Sequence, residues 1–364
     1  MKGHGLTAPH TLLLAVTVFA AAACNGESDR AIVLNEFDDV SVLSPIDSVN
    51  LESFGIYGAY KAIPHDGWYA VHKFGGSNAL DIISIQNKEK IECLRIGRGP
   101  GEVSHIGGIQ EYAGDIYAFD VNMKTLYSID IAESIADGEQ KFAESVNLRK
   151  NDKPHDFLNE PYSLFKFKDG LIATGIFQNG IWFGSIDENG NIISGIPLVD
   201  FESTKELSAT ERSAFQLSSY ISVCPDGSRG VCAMLYCGAF SIFDISGNIL
   251  HEKMRKIYYE PKVISMSGEM ISPAHDGEET KGFFSAESTE DLIYLLYSGR
   301  TWNEYSDAYS ECSHLLVYDW DGNPVRRYEL EKTINSIYLH EGRIYGTSMH
   351  PASKIYVYNL PEQC

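Results

Sequence analysis

Residues 162–198 read YSLFKFKDGLIATGIFQNGIWFGSIDENGNIISGIPL. Four short runs, 162–167, 171–177, 181–186 and 192–198, are rich in aromatic and β-branched residues and alternate at period two. Asp169-Gly170 separates the first pair and Glu188-Asn189-Gly190-Asn191 the last pair. Such sequences supply the positive φ that tight hairpin turns need. The stretch predicts four antiparallel strands joined in sequence order.

The same unit recurs along the chain. The first copy has strands at 56–63, 68–73, 80–85 and 91–96, and the second at 109–112, 116–119, 125–129 and 142–148. The fourth runs through 220–224, 231–235, 239–243 and 249–257, and the fifth through 283–288, 292–297, 315–318 and 325–330. The sixth offers 334–339, 344–347 and 355–358 and stops one strand short. Spacing fixes the register. From Asp66 to Asn87 is 21 residues, from Asp169 to Asn189 is 20, and from Asp226 to Gly247 is 21. A recurring unit of this kind is the signature of an all-β fold, a six-bladed β-propeller of four-stranded antiparallel blades. An open edge on the last blade would invite aggregation, so an N-terminal strand is expected to complete it. Residues 31–40 are the unassigned β-like stretch and are expected to supply that strand.

The chain has 364 residues, 44% of them hydrophobic and 22% charged, an ordinary globular composition. Its formal net charge of −21 leaves no basic face to neutralise phosphates, which argues against nucleic acid as a partner. Residues 1–23 read as a secretory signal, with Lys2 preceding an apolar stretch at 12–23 that is too short for a spanning helix. The stretch ends Ala21-Ala22-Ala23-Cys24, which resembles the lipobox of bacterial lipoproteins, with Ala21 where the common motif has Leu. That resemblance implies a lipid-modified Cys24 and a membrane anchor, followed by a polar tether over 24–30 and one domain over 31–364. The acidic residues after Cys24 are similar to a surface-export signal of some bacterial lipoproteins, and read equally as a solvated linker. Location is therefore expected at the outer membrane, on its periplasmic or its outer side.

Six further cysteines, Cys93, Cys224, Cys232, Cys237, Cys312 and Cys364, show no Cys-x-x-Cys pair, so a zinc or redox centre has no support. Buried thiols are expected, with at most one or two bridges; Cys224 and Cys232 flank a turn and are candidates to face each other. Asp120, Asp130, Asp187, Asp244 and Asp319 each follow an apolar run and read as turn-starting residues that hold backbone amides.

Between the first two units lies Arg95-Ile96-Gly97-Arg98-Gly99-Pro100-Gly101-Glu102. Its glycines permit a sharp crossover from one blade to the next, and Arg98 and Glu102 are placed to pair or to hold backbone groups. No helix start or Gly-Lys-Ser/Thr follows, so the loop fails as a phosphate cradle. A Gly-Arg-Gly-Pro-Gly-Glu loop after a first blade, on a lipoprotein-like chain of this length, resembles the TolB-like six-bladed β-propeller family. The resemblance implies the fold and an envelope location, and no catalytic residues.

In such a fold the second-to-third-strand loops and the blade-to-blade crossovers share one face, and the short Asp-Gly and Gly-Asn turns share the other. Long loops at 72–78, 98–105, 150–161, 201–216, 261–281 and 298–313 make the first face the expected site. Arg300, Trp302, Tyr305 and Tyr309 combine rigid aromatics with polar tips, which suit a protein, peptide or glycan; they also suit a cap on the channel. Arg98 and Glu102 join them as candidate ligand contacts. His105, His155, His275 and His350 fall in the same loops. No catalytic, metal-ligating or cofactor-binding motif is present, and no cofactor or metal is expected. The leading expectation is a lipid-anchored binding protein; the alternative is a propeller hydrolase or lyase acting at the channel mouth.

Overall fold

The computed structural model describes residues 28–99, 101–148, 159–177, 180–262 and 277–360. The signal sequence, Cys24, Pro100, His155, His275 and Cys364 lie outside the described residues. Six sheets form the six blades of a β-propeller. Blade one is Ala59–His65, Trp68–Lys73, Asn78–Ser84 and Glu89–Arg95. Blade two is Ile106–Tyr112, Asp115–Asp120, Thr125–Asp130 and Phe142–Asn147, with a helix, Ile131–Asp137, between its last two strands. Blade three is Asn159–Phe167, Gly170–Phe177, Ile181–Ile186 and Ile192–Pro197. Blade four is Ser219–Val223, Arg229–Met234, Gly238–Ser246 and Ile249–Tyr259. Blade five is Phe283–Ser288, Leu292–Tyr297, Cys312–Asp319 and Pro324–Ile334, and blade six opens with Ser336–His340, Arg343–Ser348 and Lys354–Asn359. The first strands of the six blades touch in cyclic order around a central channel.

Local chemistry accounts for the hairpins. In blade one Asp66 (φ 46°) and Gly67 (φ 82°) both take left-handed backbone, the conformation that matches the twist of the flanking strands. Asp187 Oδ1 accepts from the amides of Asn189 and Asn191, both at 2.8 Å, and Asp319 repeats this with Asp321 and Asn323. Asp130 caps the inserted helix through the Glu133 amide. Asp120 also holds the amides that follow it, accepting from Asn122 and Met123, both at 3.0 Å. It is buried on the loop face, and its second oxygen accepts from the Ser104 amide, which ties the crossover to this turn. Between blades, large side chains interlock: Trp182, Phe183, Phe243, Phe240 and Tyr318 are all fully buried in one cluster.

An N-terminal strand does complete the last blade, but it is Asp47–Asn50, antiparallel to Lys354–Asn359, and not residues 31–40. Residues Asp29–Leu34 form a helix instead. Ser28 caps it by accepting from the Ala31 amide, and Val33 on the helix and Phe37 just beyond it are buried against blades four and five. The chain then adds Val40–Leu43 as a fifth strand, parallel to the outer strand of blade five. Cys93, Cys224, Cys232, Cys237 and Cys312 are free and buried. Cys224 and Cys232 do not face each other, because Cys232 lies opposite Ile221.

Candidate functional site

The loop face gathers aromatic side chains from several blades around the channel mouth. Tyr60 and Tyr162 stand near the starts of inner strands in blades one and three, Tyr220 in blade four, and Tyr236 and Tyr309 in the loops of blades four and five. Their phenols influence one another. Burial first, then Tyr309 and Tyr162, raises the pKa of Tyr60. Burial and then nearby Glu279, Tyr309 and Tyr162 push Tyr236 up to about 12. The Tyr60 ring lies 5.1 Å from that of His72 and 6.2 Å from that of Phe74. Burial, reinforced by His105, depresses the His72 pKa to about 4, so the ring is neutral at physiological pH.

The blade-five loop adds a second aromatic group. Trp302 is 45% exposed and lies 5.3 Å from the Tyr309 ring, which in turn meets Phe284 at 6.0 Å. The Arg300 guanidinium sits 4.5 Å from the Tyr305 ring centroid and donates to the Ala308 carbonyl at 2.9 Å. Tyr305 and Tyr309 are half-buried, so this group combines an exposed indole with rings fixed from behind.

Beneath the aromatics are three lysines with side chains under a tenth exposed: Lys73 pairs with Asp81 at 2.7 Å, Lys124 with Glu160 at 3.0 Å, and Lys281 with Glu279 at 2.6 Å. Lys281 Nζ also lies 4.3 Å from the Tyr236 ring centroid. Deeper in the channel Lys61 meets Glu287 at 2.7 Å, and the Tyr338 hydroxyl donates to Glu111 at 3.2 Å. Burial raises the Glu287 pKa against the opposing pull of Lys61.

Arg98 is exposed on the crossover. Glu102 does not pair with it. Its carboxylate accepts from the Gly99 amide at 2.6 Å and meets Arg95 at 3.3 Å. Among the described residues no hydrogen bond, ion pair or ring contact joins this loop to the blade-five group. Of the loop histidines, His105 and His350 are exposed. Among the described residues no group of three or more His, Cys, Asp and Glu side chains is placed to hold a metal ion. Sequence reasoning missed Tyr60, Tyr162, Tyr220 and Tyr236. The available signal was a tyrosine near the start of the inner strand in three separate blades. It also passed over the turn face, where residues 288–291 and 339–343 of blades five and six, with Pro225 of blade four, line a groove of about 630 Å³.

The architecture defines a six-bladed propeller with a furnished loop face. The family model of the TolB-like 6-blade propeller-like proteins matches residues 49–342, and the chain belongs to that family. No curated protein matches the sequence. Among solved structures it is similar to a member of the DUF4221 family from Bacteroides vulgatus, at 12% identity and a TM-score of 0.48, over 87% of this chain and 95% of that one. It is similar to a putative exported protein from Bacteroides fragilis at 10% identity and a TM-score of 0.48, over 89% of this chain and all of that one (100%). BamB from Moraxella catarrhalis aligns at 10% identity and a TM-score of 0.43, over 87% and 100%. Among the described residues no helix is long and apolar enough to cross a membrane.

Proposed function

We propose that this chain is an exported lipoprotein, held at the outer membrane by lipids on Cys24, whose propeller binds a partner protein, peptide or glycan through its loop face. In this reading residues 1–23 are removed on export and 24–30 link the anchor to the domain. The observation that carries the binding role is the distribution of exposed rings. Among the described residues the exposed large aromatics are Tyr57, Tyr60, Phe74, Phe142, Tyr162 and Trp302, and all but Phe142 lie on the loop face. Exposed aromatics backed by rigid structure are characteristic anchors of recognition surfaces. Trp302, Tyr305, Tyr309 and Arg300 form one contact group. Arg98 and Glu102, on the first crossover of the same face, are proposed as further contacts for the ligand.

The test is site-specific photo-crosslinking in cells of origin, with the photoreactive group placed at Trp302 or, as the turn-face control, at Ile249 (42% exposed). Adducts from position 302 that are absent from position 249, together with retention of the purified protein on a peptide or glycan array that Trp302→Ala abolishes, are expected. Equal adducts from both positions, or array binding that Trp302→Ala leaves intact, overturn the assignment of the face.

A further inference from the structure

The capped helix Asp29–Leu34 fixes where the chain enters the fold. The Thr280 hydroxyl donates to Asp29 Oδ2 at 3.0 Å, Arg30 Nη2 meets His314 Nε2 at 2.8 Å, and the Arg30 stem lies against Gly299. Thr280 belongs to the crossover into blade five, Gly299 follows that blade's second strand, and His314 is near the start of its third. All three are at the loop end of the blade, so Ser28 emerges at the loop-side rim. The same rim carries Trp302: the Lys281 amide donates to the Arg300 carbonyl at 2.9 Å, and the Asn303 amide donates to the Gly277 carbonyl at 3.0 Å.

Four residue steps separate Ser28 from Cys24, a span of at most about 14 Å even when fully extended. A seven-residue strand such as Ala59–His65 is itself about 23 Å long. From these lengths, and resting on the Cys24 anchor of the preceding reading, we propose that the loop-side rim of blade five is seated on the lipid surface. Trp302 is then at the headgroup level, and the channel mouth opens toward the bilayer. An exposed indole suits that boundary, with an apolar ring and one hydrogen-bond donor. Charge does not hold the seat. Glu278, Glu304 and Asp307 are exposed on this rim, and anionic headgroups repel them. The short tether supplies the proximity, and the binding face meets ligands or partners that are themselves at the membrane surface.

The experiment uses the full lipidated chain in phosphatidylcholine vesicles containing a headgroup spin-labelled phosphatidylcholine, which quenches nearby indoles. Trp302 is on the rim, Trp68 starts a strand at the turn face, and Trp182 and Trp320 are buried. Trp302→Phe is expected to remove most of the lipid-dependent quenching, and Trp68→Phe to leave it in place. Inserting a Gly/Ser segment of about 20 residues after Gly26 adds roughly 25 Å of r.m.s. reach, and is expected to reduce the quenching while the protein stays on the vesicles. Vesicle-bound protein whose quenching is unchanged by Trp302→Phe, or by the longer tether, overturns the seating and leaves the anchor standing. Cys24→Ala protein that remains in the membrane fraction of cells overturns the anchor, and with it the proposal.

Discussion

Glu311 at the end of the blade-five loop accepts a hydrogen bond from the backbone amide of His350, in the loop of blade six, at 3.0 Å. The same carboxylate takes the Met349 amide at 2.7 Å and the Ser348 hydroxyl at 3.1 Å, so one buried side chain positions the neighbouring blade's rim. Glu311→Ala leaves two inward-facing amides without this acceptor and is expected to cost about 1–3 kcal/mol. Burial raises the Glu311 pKa, and the hydrogen bonds oppose that only in part. A raised carboxyl pKa means the folded state holds its proton to higher pH than the unfolded chain does. The stability this contributes is present below the unfolded pKa of about 4.3 and is lost as pH rises through the folded one. Glu311→Gln is therefore expected to flatten that slope, read from thermal midpoints between about pH 4 and pH 7. An unchanged slope would show that the carboxyl titrates alike in both states.

Gly97 leaves room for the Glu102 carboxylate. A Cβ there would lie 1.9 Å from Glu102 Oε2 and 2.5 Å from its carboxyl carbon. The obstacle is the end of a flexible side chain, so Gly97→Ala displaces the carboxylate without breaking the backbone. Losing its bond to the Gly99 amide is expected to cost about 1 kcal/mol. In a Glu102→Ala background that cost should largely vanish. Urea denaturation of the two single variants and the double variant measures the coupling, and strict additivity would contradict the packing described.

In the channel, Lys61 and Glu287 are 22% and 15% exposed, so their attraction is only partly screened. Lys61→Met leaves Glu287 as an uncompensated acid in a site that already raises its pKa. A fully buried pair broken this way costs about 3–5 kcal/mol, and partial solvation reduces that to roughly 1–3 kcal/mol. The loss should grow as pH rises through the Glu287 pKa, because only the ionised form is stranded. Adding Glu287→Gln is expected to restore much of the stability at neutral pH. A double variant no more stable than Lys61→Met would remove the electrostatic explanation.

The blades were legible because their information is local. Strand alternation and Asp-Gly or Asn-Gly turns act within a few residues, and the expected and observed bounds coincide at Trp68–Lys73, Ile181–Ile186, Phe283–Ser288 and Leu292–Tyr297. The entry segment was misread because Ile32, Val33 and Leu34 form a continuous apolar run that suits a strand or a helix equally. The Ser28 cap, with acidic Asp29 in the first turn, decides for helix. The tyrosines at the channel mouth were not legible as a group. Tyr60, Tyr162, Tyr220 and Tyr309 come from four blades, and only ring closure makes them neighbours.

Ring closure itself rests on Asp47–Asn50, whose sequence DSVN carries one buried apolar residue, Val49, among exposed neighbours. No alternating pattern marks so short a strand; its position is set by pairing with Lys354–Asn359 and by the packing of Val49 beside Leu51, Ile355 and Val357. Val49→Asp places an unpaired carboxylate in that cluster, while Ser48→Asp changes an exposed position on the same strand. The first is expected to lower stability by several kcal/mol, roughly the range seen for stranded buried charges, and the second by less than about 0.5 kcal/mol. Opening the joint also exposes the edge of Lys354–Asn359, so hydrogen exchange should rise first in blade six and at the inner strand of blade one. Exchange that rises first in blade three would show that the ring is not held shut by this strand.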